Sequence, residues 1–244
     1  MPVFTCAHRG ASSTHPENTL SAFAEAVALG CEMVEFDVRA TADGALLILH
    51  DPSVDRTTDG TGQIWDLSCK EIRQLDASAD HEGFGRIQIP TLDEVLDTLP
   101  SSIELNIHIY PGPADGSAIV AGVCQEIEVR NLYGSAIIAG SDEVMEIVIA
   151  TDDRVRRCLL GSQGRANIYA RLARDFGCTN IQPLHRITTP ALCDEAHRFG
   201  LVVHPFYADD ETEMWRLIDC GVDGILTNCP RRLIALRQAL VSDS

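Results

Sequence analysis

The chain has 244 residues, 45% of them hydrophobic, and its 36 acidic residues outnumber 19 basic ones to give a net charge of −17. A charge of this sign argues against binding to nucleic acids or to anionic membrane surfaces, because both require a basic footprint. No apolar run approaches the roughly 18 residues of a membrane span, and the first apolar strand already begins at Val3, so we expect a cytoplasmic protein without a signal peptide.

Segments typical of strands and of helices alternate along the chain. The predicted strands are residues 3–8, 33–39, 45–50, 103–109, 135–139, 155–160, 180–183, 201–206 and 222–227. The predicted helices are residues 17–29, 66–75, 92–99, 114–130, 142–150, 167–176, 190–199, 211–219 and 230–240. With the short strand 45–50 set aside, eight strands remain, and this pattern predicts one domain over residues 1–244, a (β/α)8 TIM barrel with a small insertion at about residues 51–90.

Two acidic residues alternate with apolar ones on the second predicted strand. Val34, Phe36 and Val38 point to one face of the strand, and Glu35 and Asp37 point to the other. Two carboxylates about 7 Å apart on one strand face suit a shared divalent cation. The strand therefore predicts part of a metal site.

Six short motifs follow one another in the first quarter of the chain. They are His8-Arg9-Gly10, Pro16-Glu17-Asn18-Thr19, Glu35 with Asp37, Thr41-Ala42-Asp43-Gly44, His50-Asp51 and Arg56-Thr57-Thr58. In this order they resemble the glycerophosphodiester phosphodiesterase family, and the resemblance returns at residues 221–227 and at Pro230. The resemblance implies a TIM barrel whose insertion lies over the barrel mouth. It also implies one divalent metal ion, Mg²⁺ or Ca²⁺, and release of sn-glycerol 3-phosphate and an alcohol from deacylated phospholipids.

The resemblance also implies roles for individual side chains. His8 and His50 are the acid and base candidates, because cleavage requires one group to deprotonate a nucleophile and another to protonate the leaving alkoxide. The sequence leaves open which histidine does which, and whether water or the glycerol 2-hydroxyl attacks. Arg9 would bind the phosphate oxygens and Glu17 would lie at the substrate, whereas Asn18 lies at the site or caps the first helix.

The third main strand departs from the family pattern. The family has Glu-x-Lys there, with the Glu as a metal ligand and the Lys at the phosphate, and this chain has His108 and Tyr110 on the same strand face. His108 is therefore the third metal candidate, and imidazole favours Mn²⁺, Co²⁺ or Zn²⁺ over Ca²⁺ and Mg²⁺. Tyr110 becomes a substrate-binding candidate that supplies a hydrogen bond without a positive charge.

The ends of the late strands differ as well. The chain has His204-Pro205-Phe206-Tyr207 after the seventh main strand and Thr227-Asn228-Cys229-Pro230 after the eighth, where the family often has Thr-Asp-x-Pro. His204 is either a polar residue of the mouth or, as we favour, a packed core histidine. Two alternatives stay open for the function: a different diester as substrate, such as a sugar or lysophospholipid diester, or a barrel that binds phosphodiesters without cleaving them.

Overall fold

The computed structural model describes residues 3–78, 81–113, 116–161 and 163–242. The strands are β1 (Phe4–His8), β2 (Met33–Ala40), β3 (Leu46–Ile48), β4 (Glu104–Ile109), β5 (Ala136–Gly140), β6 (Arg156–Leu159), β7 (Asn180–Ile181), β8 (Val202–Val203) and β9 (Gly224–Thr227). The helices of this part of the chain are α1 (Leu20–Leu29), α2 (Cys69–Ile72), α3 (Leu92–Thr98), α4 (Gly116–Val129), α5 (Asp142–Thr151), α6 (Tyr169–Asp175), α7 (Pro190–Arg198), α8 (Glu211–Asp219) and α9 (Pro230–Ser242). The predicted start of the fourth helix at residue 114 lies outside the described residues.

Eight of the strands form one parallel sheet in the order β8-β7-β6-β5-β4-β2-β1-β9, and β3 pairs antiparallel with the end of β2. Two backbone hydrogen bonds join the two ends of this path: Asp223 N donates to Val203 O (2.9 Å), and Leu226 N donates to Pro205 O (3.0 Å). The sheet therefore curls into a nearly closed TIM barrel with helices outside it, and the predicted fold class is confirmed.

The alternation of side chains along β2 separates the apolar core from the barrel interior. Phe36 packs against Phe23 of α1, with ring centroids 5.9 Å apart, and both side chains are fully buried. Burial of one such side chain contributes about 1.5–3 kcal/mol, so β2 is held with its apolar face against the helices. Glu35 and Asp37 consequently point into the barrel.

The loop between β1 and α1 has a special backbone conformation. Gly10 has φ 79°, and a Cβ atom there would lie 2.6 Å from the carbonyl carbon of Ala22, so the loop can pack closely on α1 only with glycine at this position. The helix begins at Leu20, three residues later than predicted, because Asn18 has φ 58° and Thr19 is the N-cap. The capping alternative for Asn18 is therefore wrong.

The insertion packs with β3 and the residue after it around a small apolar cluster. This cluster consists of Leu47, Leu49, Val54, Ile64, Ile72, Ala77 and Ile89. The helix predicted over residues 66–75 is shorter in the structure, where a single 3₁₀ turn, Ile64–Asp66, precedes the four-residue α2. Arg73 joins the insertion to α3 by an ion pair with Glu94 (2.6 Å).

The nine cysteines all lie in the described part of the chain, and each of them is free. Most are buried, which explains their dispersal among the core positions of different strands and helices. Among the described residues, none of the helices combines the length and the hydropathy that crossing a membrane requires.

Candidate active site

The three residues predicted as metal ligands lie together at the carboxyl ends of two neighbouring strands. Asp37 of β2 stands beside His108 of β4 in the strand register, with Glu35 two residues earlier. Nδ1 of His108 is 3.3 Å from Asp37 Oδ1 and 3.8 Å from Glu35 Oε1. One donor atom from each residue can be chosen so that all three lie within 4.8 Å of one another.

This group has the chemistry of a divalent cation site. Asp37 Oδ1 is buried and accepts no hydrogen bond of good geometry, although His108 Nδ1 lies 3.3 Å away, and such an oxygen is costly unless a cation compensates it. Burial, and then the charge of Asp37, raise the pKa of Glu35 well above its usual range. Burial also lowers the pKa of His108 and thereby favours the neutral imidazole, which is the form that binds a metal. The residues therefore fit a cation with oxygen and imidazole ligands.

The β1–α1 loop holds the second oxygen of Asp37. Asn18 Nδ2 donates a hydrogen bond of 2.8 Å to Asp37 Oδ2, and the Arg9 Nε atom lies 3.3 Å from the same oxygen. The backbone N–H of Arg9 donates to Glu35 Oε2 (2.9 Å). Arg9 and Asn18 both have left-handed backbone conformations, with φ 57° and 58°. The unusual backbone of this loop thus serves to wrap it around the two carboxylates.

His8 lies on one side of this group at the end of β1. Its Nδ1 atom is 2.8 Å from Asn228 Oδ1, and its Nε2 atom is 4.0 Å from Glu35 Oε2. The ring stacks on Tyr207, with centroids 5.2 Å apart and an interplanar angle of 18°. Burial, and then the charge of Arg9, lower the pKa of His8 to about 4, so the ring is neutral near pH 7.

His50 follows β3 and has a different partner. Its Nδ1 atom is 2.6 Å from Asp51 Oδ1, and Arg39 Nε donates to the His50 carbonyl oxygen (2.7 Å). Arg56 holds the other oxygen of Asp51 (2.6 Å). The hydrogen bonds from Arg56 and His50 lower the pKa of Asp51 to about 2 against the opposing effect of its partial burial. An ionised carboxylate therefore orients the His50 ring.

Glu17 connects the barrel to the insertion. Its carboxylate accepts hydrogen bonds from Arg9 (2.9 Å) and from both terminal nitrogens of Arg56 (2.8 Å each). Burial favours the neutral acid, but the hydrogen bond from Arg56 and the charge of Arg9 lower the pKa of Glu17. Glu17 therefore sits between two arginines at the edge of the site.

Tyr110 lies next to the metal-ligand candidates, as the strand alternation predicted. Its ring is 3.8 Å from the His108 ring and 5.1 Å from the His50 ring between centroids, and the Arg39 guanidinium lies over it at 4.9 Å. Burial, and then the charges of Asp37 and Glu35, raise the pKa of Tyr110. Its hydroxyl therefore remains a neutral hydrogen-bond donor.

The structure adds residues that the sequence did not identify. Asn228 contacts His8, and Asp209 in turn accepts a hydrogen bond from Asn228 Nδ2 (2.7 Å). Asn228 and Asp209 are both polar residues that follow a strand end, and this position was the one sequence feature that could have identified them as site residues. His204 is fully buried beside Phe4 and lies 3.9 Å from Cys158 Sγ, so the favoured interpretation as a core histidine is correct.

Known proteins resemble the chain over nearly its whole length. The sequence model of the glycerophosphoryl diester phosphodiesterase family matches residues 8–232. A glycerophosphodiester phosphodiesterase of Caldanaerobacter subterraneus subsp. tengcongensis is 33% identical over 239 residues, 97% of this chain and 98% of that protein. A putative glycerophosphoryl diester phosphodiesterase from Silicibacter pomeroyi superposes with a TM-score of 0.90 at 23% identity, covering 98% of this chain and 94% of that chain. A phosphodiesterase from Oleispira antarctica, solved with its product sn-glycerol-3-phosphate, gives a TM-score of 0.86 at 25% identity and covers 99% of this chain and 97% of that chain.

Proposed function

The chain belongs to the glycerophosphoryl diester phosphodiesterase family and is a phosphodiesterase, and from this premise we propose that it hydrolyses glycerophosphodiesters to sn-glycerol 3-phosphate and an alcohol with the help of a divalent metal ion. One observation carries the proposal. Two carboxylates and an imidazole converge at the carboxyl end of the barrel, the face that bears the active sites of TIM-barrel enzymes.

Glu35, Asp37 and His108 are the proposed ligands of the metal. A divalent ion held by them would act as a Lewis acid towards the phosphoryl oxygens. The buried Asp37 Oδ1 atom, which accepts no hydrogen bond of good geometry, supports this assignment. Because His108 brings a nitrogen donor where the family has a carboxylate, we propose a preference for Mn²⁺, Co²⁺ or Zn²⁺ over Mg²⁺ and Ca²⁺.

Arg9 is the proposed binding group for the phosphate. Its ion pairs with Glu17 and Asp37 fix the plane of the guanidinium, so less rotamer entropy is lost on binding the substrate. Tyr110 would add a hydrogen bond as a neutral phenol, and Glu17 would contribute by holding Arg9 at the edge of the site. The single lysine of the chain, Lys70, is in the insertion helix α2, so arginine is the source of positive charge here.

His8 and His50 are the proposed proton-transfer groups. Each ring is oriented through Nδ1, His8 by the Asn228 amide and His50 by the Asp51 carboxylate. This arrangement leaves Nε2 of each ring as the nitrogen that exchanges a proton with the substrate or with water. One histidine removes a proton from water or from the glycerol 2-hydroxyl, and the other protonates the leaving oxygen.

The insertion is proposed to form part of the same domain and to lie over the barrel mouth. Arg56 supports this proposal, because its side chain bonds both Glu17 of the barrel loop and Asp51, the partner of His50. Movement of the insertion would therefore disturb one proton-transfer group directly.

The experiment is a product assay with purified protein and glycerophosphocholine or glycerophosphoethanolamine, followed by phosphorus NMR. We expect sn-glycerol 3-phosphate from both substrates and a decrease in kcat of about 10²- to 10⁴-fold for His50→Ala with substrate binding retained. His197→Ala is the control, since His197 lies on α7 and pairs with Asp223. Turnover of sugar or lysophospholipid diesters alone would contradict the proposed substrate class. Activity of His50→Ala equal to that of the wild type would contradict the proposed mechanism.

A further inference from the structure

A chain of hydrogen bonds leads from the loop before α8 to His8. Asp209 Oδ2 accepts a hydrogen bond from Asn228 Nδ2 (2.7 Å), and Asn228 Oδ1 lies 2.8 Å from His8 Nδ1. The second oxygen of Asp209 accepts from the Asn228 backbone N–H (2.8 Å) and from the Thr227 hydroxyl (3.1 Å). Asp209 is thus bonded to three groups of one short segment, Thr227 at the end of β9 and Asn228 after it.

The carboxylate of Asp209 fixes the direction of each hydrogen bond between Asp209, Asn228 and His8. An ionised carboxylate only accepts, so the atom of Asn228 that faces Asp209 is its NH₂ group. The atom of Asn228 that faces His8 is then the amide oxygen, which also only accepts. The proton of the neutral imidazole must consequently be on Nδ1.

We propose that Asp209 is a positioning residue for catalysis, which through Asn228 holds His8 in the Nδ1–H tautomer and presents the lone pair of its Nε2 atom to the substrate. The inference rests on the proposed function, because only there does His8 exchange a proton with the substrate. Nε2 is the ring nitrogen nearer the carboxylates, 4.0 Å from Glu35 Oε2. The wrong tautomer would present an N–H group to this part of the site in place of an acceptor.

The contact with Asp209 allows an amide to serve at position 228, where the family often has Asp. A carboxylate accepts from the histidine whatever its surroundings, whereas an amide can be turned over to present either its oxygen or its NH₂ group. Asn228 therefore needs a further group that selects one orientation. The Ser12 hydroxyl, 2.9 Å from Asn228 Oδ1, can donate or accept, whereas the Asp209 carboxylate only accepts and so selects the orientation. Asp209 and Asn228 form a functional pair.

The test compares Asp209→Asn with the exchange variant Asp209→Asn/Asn228→Asp. In the single variant an amide faces an amide, and the direction of the hydrogen bonds is lost. In the exchange variant the carboxylate at position 228 accepts from both His8 and the new amide at position 209, so the direction towards His8 is restored. Asp210→Asn is the matched control, since Asp210 is the exposed N-cap of α8 and asparagine caps equally well.

Two readouts are needed. The ring nitrogens of His8, assigned with His8→Gln, are followed by ¹H–¹⁵N NMR at about pH 8, where an unperturbed imidazole is neutral. The kcat and KM for glycerophosphocholine are measured on the same proteins. Wild type and Asp210→Asn should have the proton on Nδ1. The single variant should show a mixture of tautomers, and its kcat should fall by about 10- to 100-fold, the range typical of losing the outer partner of a metal-ligating histidine. The exchange variant should recover both.

An unchanged His8 tautomer and unchanged kcat in Asp209→Asn would overturn the proposal, as would a folded exchange variant with no recovery. Failure of both variants to fold would make Asp209 a residue for folding alone and would overturn it too. If the wild-type protein turned over no glycerophosphodiester, the proposed function would fail, and the NMR comparison would still decide whether Asp209 sets the tautomer.

Discussion

Asn18 connects the backbone of the β1–α1 loop to the metal-ligand candidates, and its replacement tests that connection. The residue is buried, has φ 58°, and donates a 2.8 Å hydrogen bond to Asp37 Oδ2. Removing a hydrogen bond to a buried charged group costs about 1.5–3 kcal/mol. We therefore expect Asn18→Gly, which tolerates the backbone conformation, to lower the free energy of unfolding by about 2 kcal/mol, and Asn18→Ala by about 1 kcal/mol more.

The assay is urea unfolding of the metal-free protein, together with titration of Mn²⁺ into the folded protein. Since Asn18 orients one proposed ligand, metal affinity should fall by about 10- to 100-fold in both variants. Asn131 provides the matched control, because it is an exposed asparagine with φ 54° that follows α4 and makes no contact with Asp37. Asn131→Gly should retain wild-type metal affinity. If Asn18→Gly equalled the wild type in stability and in metal affinity, the role given to this hydrogen bond would be refuted.

Three further predictions concern the ligands and the insertion. A cation needs the ionised form of Glu35, and the pKa of that residue is raised in the metal-free protein, so metal binding should release a proton. Metal affinity should fall by up to about tenfold per pH unit as the pH drops below that pKa. Calorimetry at several pH values measures both effects. Arg56→Gln should lower kcat by about tenfold by releasing Asp51, with only about 1 kcal/mol lost in stability because Arg56 is half exposed. His108→Glu/Tyr110→Lys, which restores the family pair, should raise activity with Mg²⁺ or Ca²⁺ relative to Mn²⁺.

Each of the three has a result that would contradict it. Metal affinity independent of pH between about 4 and 8 would exclude a raised pKa of Glu35. For Arg56→Gln, the control is Arg130→Gln, which removes ion pairs with Asp97 and Glu126 on the outer helices. An equal loss of kcat in Arg130→Gln would show that the effect is general destabilisation. An unaltered order of metals in the double variant would remove His108 from the list of deciding ligands.

The sequence predicted the metal-ligand candidates from strand alternation for Glu35 and Asp37 and from the family resemblance for the position that His108 occupies. Alternation along β2 puts Glu35 and Asp37 on one face, and the parallel register brings His108 of β4 beside them. The contact of Asn228 with His8 joins residues 220 positions apart, and no periodicity encodes it. The role of Asp209 is harder still to predict from the sequence, because no recognisable motif contains this residue.

Some strands and helices have boundaries that differ from the predicted ones, because single residues set them and these residues leave no periodic pattern. The predicted strands at 180–183 and 201–206 are reduced to the two-residue β7 and β8. Pro183 and Pro205 lie in these segments and have no N–H group to continue the ladder. The late start of α1 arises from the left-handed conformation of Asn18, which the sequence does not reveal because asparagine is common both at helix starts and in that conformation.

Restoring metals to the metal-free protein tests the central claim most directly. Hydrolysis of glycerophosphocholine would be measured after removal of metal and separate addition of Mg²⁺, Ca²⁺, Mn²⁺, Co²⁺ or Zn²⁺, for the wild type and for Asp37→Asn. We expect no turnover without metal, recovery best with Mn²⁺ or Co²⁺, and no recovery in Asp37→Asn. Full activity of the metal-free protein, or equal recovery in Asp37→Asn, would contradict a metal site at Glu35, Asp37 and His108.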